Sequence, residues 1–315
     1  MSGELVPLEG ERDQNLRLTR ANGDAFVVKI SNAMEAAEVV DFQHKALIHI
    51  QQSAPHLPVP RPLPTLKGHP WCAIGEKSNH FRVLSYVEGL PVTVARFGST
   101  RLAQSAGEFM GKISSLMLNF NHPNAEYFMA WDLNNKLLAN DELWDCAADD
   151  LRSLESALRP RICAQTLPSL ASLRRQVVHH DAHQHNLLVD SPESETIAGL
   201  IDFGDIINTA VVSDLAIVSL GFAEDRPNPE ISVAHVVTGY HDQYPLLKQE
   251  IDLLFEVMLA REVLTVLLFD FRIAHNASAS EYVCDSRPEL MKALQNLMSI
   301  GGESFRDAIF DHCKL

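Results

Sequence analysis

The sequence predicts an α+β fold of two lobes, a small β-rich one at the N-terminus and a larger α-helical one after it. Three observations carry this. Short strand-like runs bounded by turn residues fill residues 1–88, and helical periodicity dominates residues 89–315. Two polar motifs in the second part each lie beside short apolar runs, as loops between strands do.

In the first lobe, Leu16–Thr19 and Phe26–Ile30 read as two strands joined through Ala21-Asn22-Gly23-Asp24, a turn of the Asn-Gly hairpin type. A helix is expected from Asn32, with Asn32 as its cap, Glu35 completing a capping box, and an apolar face of Val39, Phe42, Ala46 and Ile50. Pro55, Pro58, Pro60, Pro62 and Pro64 make the next stretch an extended connection, because proline cannot continue a helix. Trp71–Ile74 and Phe81–Val87 read as strands, and Glu88-Gly89-Leu90-Pro91 breaks the pattern at the expected lobe boundary. Beyond it, helices are expected over Arg101–Phe120, Asp141–Leu158, Asp214–Leu220, Ile251–Phe271 and Arg287 to about Phe310.

Bulk properties exclude several functions. The net charge of −15 leaves no basic excess to neutralise phosphates, which argues against nucleic acid or an anionic membrane as partner. The five cysteines, Cys72, Cys146, Cys163, Cys284 and Cys313, are scattered without a C-x-x-C pair, which fits free thiols in a reducing compartment. The N-terminal residues have neither a basic region nor an apolar core, and no apolar run reaches the roughly 18 residues of a membrane span. A cytoplasmic protein is expected, of undetermined oligomeric state.

The two motifs are His179-His180-Asp181-Ala182-His183-Gln184-His185-Asn186 and Asp202-Phe203-Gly204. Their spacing is that with which kinases hold a catalytic base and two Mg²⁺ ligands. Asp181 is the expected base, orienting an acceptor hydroxyl and taking its proton. Asn186 and Asp202 are the expected metal ligands, since Mg²⁺ prefers oxygen donors and keeps waters and phosphates for its other positions; Asp205 stands close enough to share the role of Asp202. Lys29, at the end of Val27-Val28-Lys29, resembles a strand lysine that pairs nucleotide phosphates. Its acidic partner is open between Glu38 and Asp41, with Glu35 assigned to capping. The four histidines invite a zinc reading, but they form no H-E-x-x-H and would leave Asp181 and Asn186 without roles; His179 is expected to brace the loop. No G-x-G-x-x-G precedes Lys29. Only Gly10 stands in the right region, so either the amides of Glu9–Asn15 cover the phosphates or nucleotide binding is weak. These patterns together predict a protein-kinase-like fold with a nucleotide in the cleft between lobes, and a small-molecule phosphotransferase. A protein kinase is disfavoured, because no A-P-E follows and Asp214-Leu215-Ala216 comes too soon for an activation loop. A non-catalytic nucleotide-binding module on the same fold is the alternative.

The run Val178–Leu188 resembles the H-G-D-x-H-x-x-N loop of aminoglycoside phosphotransferases and choline kinases, with His180 where the usual residue is glycine. Ile201-Asp202-Phe203-Gly204-Asp205 and Ser213-Asp214-Leu215-Ala216 resemble two further motifs of that family. Gly10–Asn15, Phe120–Pro123 with Trp131–Leu133, and Asn276–Ser286 are similar to hydroxylysine kinases and to the phosphotransferase domain fused to class III aminotransferases. The resemblance implies transfer of the γ-phosphate of ATP or GTP, with Mg²⁺, to a hydroxyl of an amino-bearing small alcohol. It implies Asp214 as a brace for the catalytic loop, and backbone groups of Ser85 to Val87 against the purine. Glu224, Asp225, Glu262 and Asp270 are the acids that could meet a substrate ammonium.

Overall fold

The computed structural model describes the chain except residues 1, 9, 11, 76–78, 96–98, 225, 276–280 and 314–315. Asp225 and residues 276–280 of the Asn276–Ser286 run therefore lie outside the described residues, as do Glu9 and Glu11 of the turn expected to cover the phosphates.

The N-terminal part is an antiparallel sheet of six strands, β1 (Glu4–Leu8), β2 (Gln14–Thr19), β3 (Ala25–Ile30), β4 (Pro62–Leu63), β5 (Cys72–Ile74) and β6 (Asn79–Ser85), with helix α1 (Ala37–Ser53) after β3. The order is β1-β2-β3-β6-β4, with β5 also on β6. The expected hairpin is β2–β3: Gly23 takes φ +90°, and the Asp24 amide donates to Asn22 Oδ1 at 3.2 Å. Strand β1 had no clear alternation in the sequence; it pairs with β2 from Glu4↔Thr19 to Leu8↔Asn15 as an exposed edge. The prolines are extended as expected, and Pro62–Leu63 adds a two-residue edge strand to β6, where a missing amide is tolerated.

Helix α1 differs from expectation. It begins at Ala37, and Ala36 caps it without a side-chain bond. Asn32 turns back instead: its Oδ1 accepts the Met34 amide at 2.9 Å and its own amide donates to Asp13 Oδ1 at 2.9 Å. Glu35 accepts from Gln43 rather than closing a capping box. Val40, not Val39, lies fully inside, with Phe42, Ala46 and Ile50.

The second part contains β7 (Leu90–Pro91), α2 (Thr100–Met117), α3 (Asp141–Asp145), α4 (Asp149–Arg152), α5 (Glu155–Arg161), α6 (Leu167–Ala171), β8 (Arg175–Val178), β9 (Leu187–Val189), β10 (Gly199–Leu200), β11 (Ile207–Ala210), α7 (Val211–Ala223), α8 (Pro229–Gln243), α9 (Lys248–His275), α10 (Glu281–Ile300) and α11 (Gly302–His312). Two expected helices are broken. The Asp141–Leu158 stretch divides because the Ala148 amide donates to Asp270 Oδ2 at 3.0 Å instead of continuing a helical ladder. The last helix splits at Gly301, which takes φ +79°.

Strand pairing places the two motifs. The loop 179–186 connects β8 to β9, and residues 201–206 connect β10 to β11. Strand β9 pairs with β10 (Leu187↔Leu200) and β8 with β11 (Val178↔Ile207), so both loops leave the same small sheets side by side. Strand β9 also pairs with β7, and the Leu200 amide donates to the Pro58 carbonyl at 3.1 Å, which ties the elements bearing the two motifs to the proline connection. Buried Leu187, Leu200, Val211, Leu215 and Val263 form part of one continuous core beneath them.

Candidate active site

Asp181 is held from three sides. Its amide donates to His179 Nδ1 at 3.2 Å, and His179 Nε2 reaches the Ile201 carbonyl at 3.1 Å, so one neutral imidazole joins the two motif loops. Burial pushes the His179 pKa down to about 4, which keeps that tautomer near neutral pH. Its ring also meets Phe203 edge-on at 4.6 Å. Asn186 Nδ2 donates to the Asp181 carbonyl at 2.9 Å and to Oδ2 at 2.7 Å. That fixes one carboxylate oxygen and turns Asn186 Oδ1 away from it. Burial, then the like charges of Asp205 and Asp202, push the Asp181 pKa well above the usual carboxylate range.

Asp202 has φ 56° and accepts the Gly204 amide and Lys29 Nζ, both at 3.1 Å. Burial would raise its pKa; the Lys29 ammonium outweighs that and holds it down at about 2. Lys29 also lies 3.3 Å from Asp13 Oδ2. The expected acids of α1 do not reach it: Glu38 is exposed, and Asp41 bonds Lys45 at 2.6 Å and His122 at 3.2 Å. Gln43 faces the Asp-Phe-Gly turn instead, donating to the Gly204 carbonyl at 2.8 Å.

The cleft holding these groups measures about 1470 Å³ and is lined by Gly10, Arg12, Asp13, Lys29, Asp181, Asn186, Asp202 and Asp205 on the phosphate side. That exceeds the roughly 300–1,000 Å³ of a pocket for one small ligand. At Gly10 a Cβ would lie 2.5 Å from Asn15 Nδ2 and 2.8 Å from the Asp13 carbonyl, so the tight turn needs glycine there. Arg12 crosses the cleft to pair with Asp205. Ser85 and Val87 stand at the end of β6: Ser85 spends its amide and hydroxyl on Arg61 at 2.8 and 2.9 Å, while Val87 Cγ1 would be 2.7 Å from a Cβ on Gly199.

On the far wall, sequence reasoning named Glu224 and Glu262 as candidate acids but missed Arg261. Arg261 on α9 donates to the Trp131 carbonyl, and its guanidinium lies 5.6 Å from the Trp131 ring centre. Its field reaches Asp181 and Asp205. A helix arginine carries no motif, so only the fold reveals it. Glu262 beside it is 3% exposed and lines the cleft, and among the described residues its Oε1 has no hydrogen-bond partner. Burial, then nearby Glu224, push its pKa up to about 8. Glu224 also lines the cleft and accepts from Gln184 Nε2 at 2.5 Å. Asp270 does not belong here: it accepts Arg287 Nε at 2.8 Å and the Ala148 amide at 3.0 Å, a structural contact that leaves it nothing for a substrate.

No group of three His, Cys, Asp or Glu side chains suited to a metal occurs among the described residues. A site of one carboxylate, Asp202, and one amide oxygen, Asn186, still fits a hard cation that takes its remaining ligands from phosphates and water. Asp202 keeps 42% of its side chain exposed to the cleft. Among the described residues no helix is long and apolar enough to cross a membrane.

The chain is similar to known kinases in sequence and in fold. The chain is 25% identical over 310 residues to a hydroxylysine kinase of Danio rerio, covering 94% of this chain and 86% of that one. It is 23% identical to the hydroxylysine kinase of Mus musculus, covering 99% and 89%. Among solved structures, a microcompartment-associated aminopropanol kinase shares the fold with a TM-score of 0.75 at 16% identity, covering 97% and 94% of the two chains. An amicoumacin kinase in complex with AMP-PNP and Ca²⁺ gives 0.68 at 14%, covering 94% and 90%. The sequence model of the phosphotransferase enzyme family (APH) matches residues 4–247, and the chain belongs to that family.

Proposed function

We propose that this protein transfers the γ-phosphoryl group of ATP or GTP to a hydroxyl of a small alcohol that also bears an amine, with Asp181 as base. The juxtaposition of Asp181, Asn186, Asp202 and Lys29 in one cleft carries the reading. Asp181 Oδ2 is tied to Asn186, which fixes the carboxylate so that it can orient the acceptor hydroxyl. As the acceptor oxygen bonds to the γ-phosphorus, the bond to the β–γ bridging oxygen breaks, and the hydroxyl proton passes to Asp181. A raised pKa suits that step, since it makes the carboxylate a stronger proton acceptor than an ordinary one. Lys29 meets phosphate oxygens, and the backbone at Ser85 and Val87 borders the purine. Asn186 and Asp202 would hold Mg²⁺, which supplies charge neutralisation to the phosphates. Arg261, whose field reaches Asp181 and Asp205, would bring positive charge toward the transferring group.

The amine is inferred from Glu262 and Glu224, carboxylates on the far wall of the cleft where the acceptor would lie. The hydroxylysine and aminopropanol kinases similar to this chain are named for amino alcohols. In this reading residues 1–88 form the nucleotide lobe and 89–315 the catalytic and acceptor lobe, in a cytoplasmic setting that suits the free cysteines.

The test is a coupled nucleotide-turnover screen over hydroxylysine, homoserine, choline, ethanolamine and aminoglycosides, with ATP and GTP each supplied with Mg²⁺. Turnover with an amino alcohol, absent in Asp181→Ala, is expected. Nucleotide binding without transfer to any acceptor would favour the non-catalytic module instead.

A further inference from the structure

A strand lysine that meets phosphates needs a fixed counter-charge, because a free ammonium on a four-carbon stem samples many rotamers. In this chain α1 supplies none: Glu38 is exposed, Asp41 is occupied by Lys45 and His122, and the buried position is the amide of Gln43. The neighbourhood is also more demanding than usual. Lys29 and Arg82 are directly opposite in the β3–β6 register, so two cations stand side by side on one face of the sheet. Like charges so placed repel unless an anion lies between them.

We infer that Asp13, in the turn between β1 and β2, is the positioning carboxylate for Lys29, replacing an acid on α1. Its Oδ2 lies 3.3 Å from Lys29 Nζ and 3.9 Å from Arg82 Nη2, between the two cations. Its Oδ1 accepts the Asn32 amide at 2.9 Å, which anchors the side chain to the backbone just after β3. Only 14% of that side chain is exposed. Lys29 is thereby aimed across the cleft at Asp202, 3.1 Å away, the place where phosphates and metal are expected. The next-door residue, Arg12, pairs with Asp205, so adjacent residues of one turn fix both the lysine and the far side of the Asp-Phe-Gly segment. The turn expected to cover the phosphates is also the device that sets the lysine. Glu35 is the competing partner, but its carboxyl accepts from Gln43 at 3.2 Å, and burial followed by the charge of Asp13 pushes its pKa up.

The inference rests on the phosphoryl-transfer reading, and its test separates the two. Asp13→Asn keeps an oxygen for the Asn32 amide while removing the charge. Binding of a fluorescent ATP analogue with Mg²⁺ and steady-state kinetics are measured for wild type, Asp13→Asn, Asp13→Glu, Glu35→Gln and Glu38→Gln, beside thermal melting. Asp13→Asn should weaken donor binding and lower donor kcat/KM about tenfold or more, with acceptor KM unchanged. Asp13→Glu should recover part of the loss, Glu35→Gln should cost less than Asp13→Asn, and Glu38→Gln should match wild type. A purely structural role would shift melting and both substrates' KM together. If Asp13→Asn does not fold, Asp13→Glu alone should raise the donor KM and leave the acceptor KM in place. Unchanged donor binding in the Asp13 variants, or a larger loss in Glu35→Gln, overturns the inference alone. A wild-type protein that binds no nucleotide overturns it together with the phosphoryl-transfer reading.

Discussion

Asp214 Oδ1 accepts the backbone N–H of His180 at 2.8 Å, and this contact secures a non-glycine residue at φ 64° in the catalytic loop. Left-handed backbone costs an L-residue roughly 1–2 kcal/mol, which is why glycine suits this position. The carboxyl is fully buried, and burial pushes its pKa up to about 7 against the opposing bonds from His180 and His179. A raised carboxylate pKa means that the folded state binds a proton the unfolded chain has released. Stability from Asp214 is therefore present below about pH 4 and lost as pH rises to about 7, by about 1.4 kcal/mol per unit at most. Urea unfolding at pH 5, 6 and 7 should show wild type losing ground to Asp214→Asn at each step. A flat difference would mean that Asp214 is ionised throughout.

The sequence made legible what local chemistry dictates. Asn22-Gly23 marked the β2–β3 hairpin, and the spacing of Asp181, Asn186 and Asp202 marked the loops that β8–β11 and β9–β10 bring together. It could not show where long-range contacts override local preference. Asn32 looks like a helix cap, yet its amide is taken by Asp13 and the helix starts later. Asp270 looks like a free acid until Arg287 occupies it. Arg261 sits in an unremarkable helical run and gains meaning only because α9 passes behind Asp181; Glu262 was legible only as one acid among four, and its burial in the cleft singles it out.

Asp181→Asn should cut kcat by about 10²–10⁴-fold, the usual range for a lost general base, while leaving nucleotide affinity within a few-fold of wild type. The same substitution removes a buried like charge near Asp202 and Asp205, so the folded protein should be more stable, by about 1 kcal/mol. Steady-state kinetics and denaturant melts on one preparation test both halves. Lower stability together with lost activity would place Asp181 in the scaffold rather than in the chemistry.

Helices α2 and α8 cross where glycines let their backbones touch. A Cβ on Gly107 would fall 1.9 Å from the Val236 carbonyl oxygen, and one on Gly239 would fall 2.0 Å from that of Gln104. Neither neighbour is a movable side chain, so Gly107→Ala must push the helices apart at a cost of about 1–3 kcal/mol. Thermal melting should drop by several degrees, with donor KM unchanged, because this crossing lies away from the cleft.

Glu262 offers the sharpest link between burial and specificity. Its pKa of about 8 makes it largely protonated in the empty protein at neutral pH. An acceptor ammonium pairs with the ionised form, so binding must first expel that proton. Acceptor KM should fall as pH rises from 6 towards 8, by up to about tenfold per unit, and level off above that. The donor KM should not follow. In Glu262→Gln the slope should vanish, and acceptor KM at pH 8 should rise at least about tenfold, the value of a charge-assisted contact. An alcohol of the same shape without the amine should bind wild type and Glu262→Gln alike. If instead the amine-free alcohol loses as much as the amino alcohol, Glu262 shapes the wall of the pocket and does not read the ammonium.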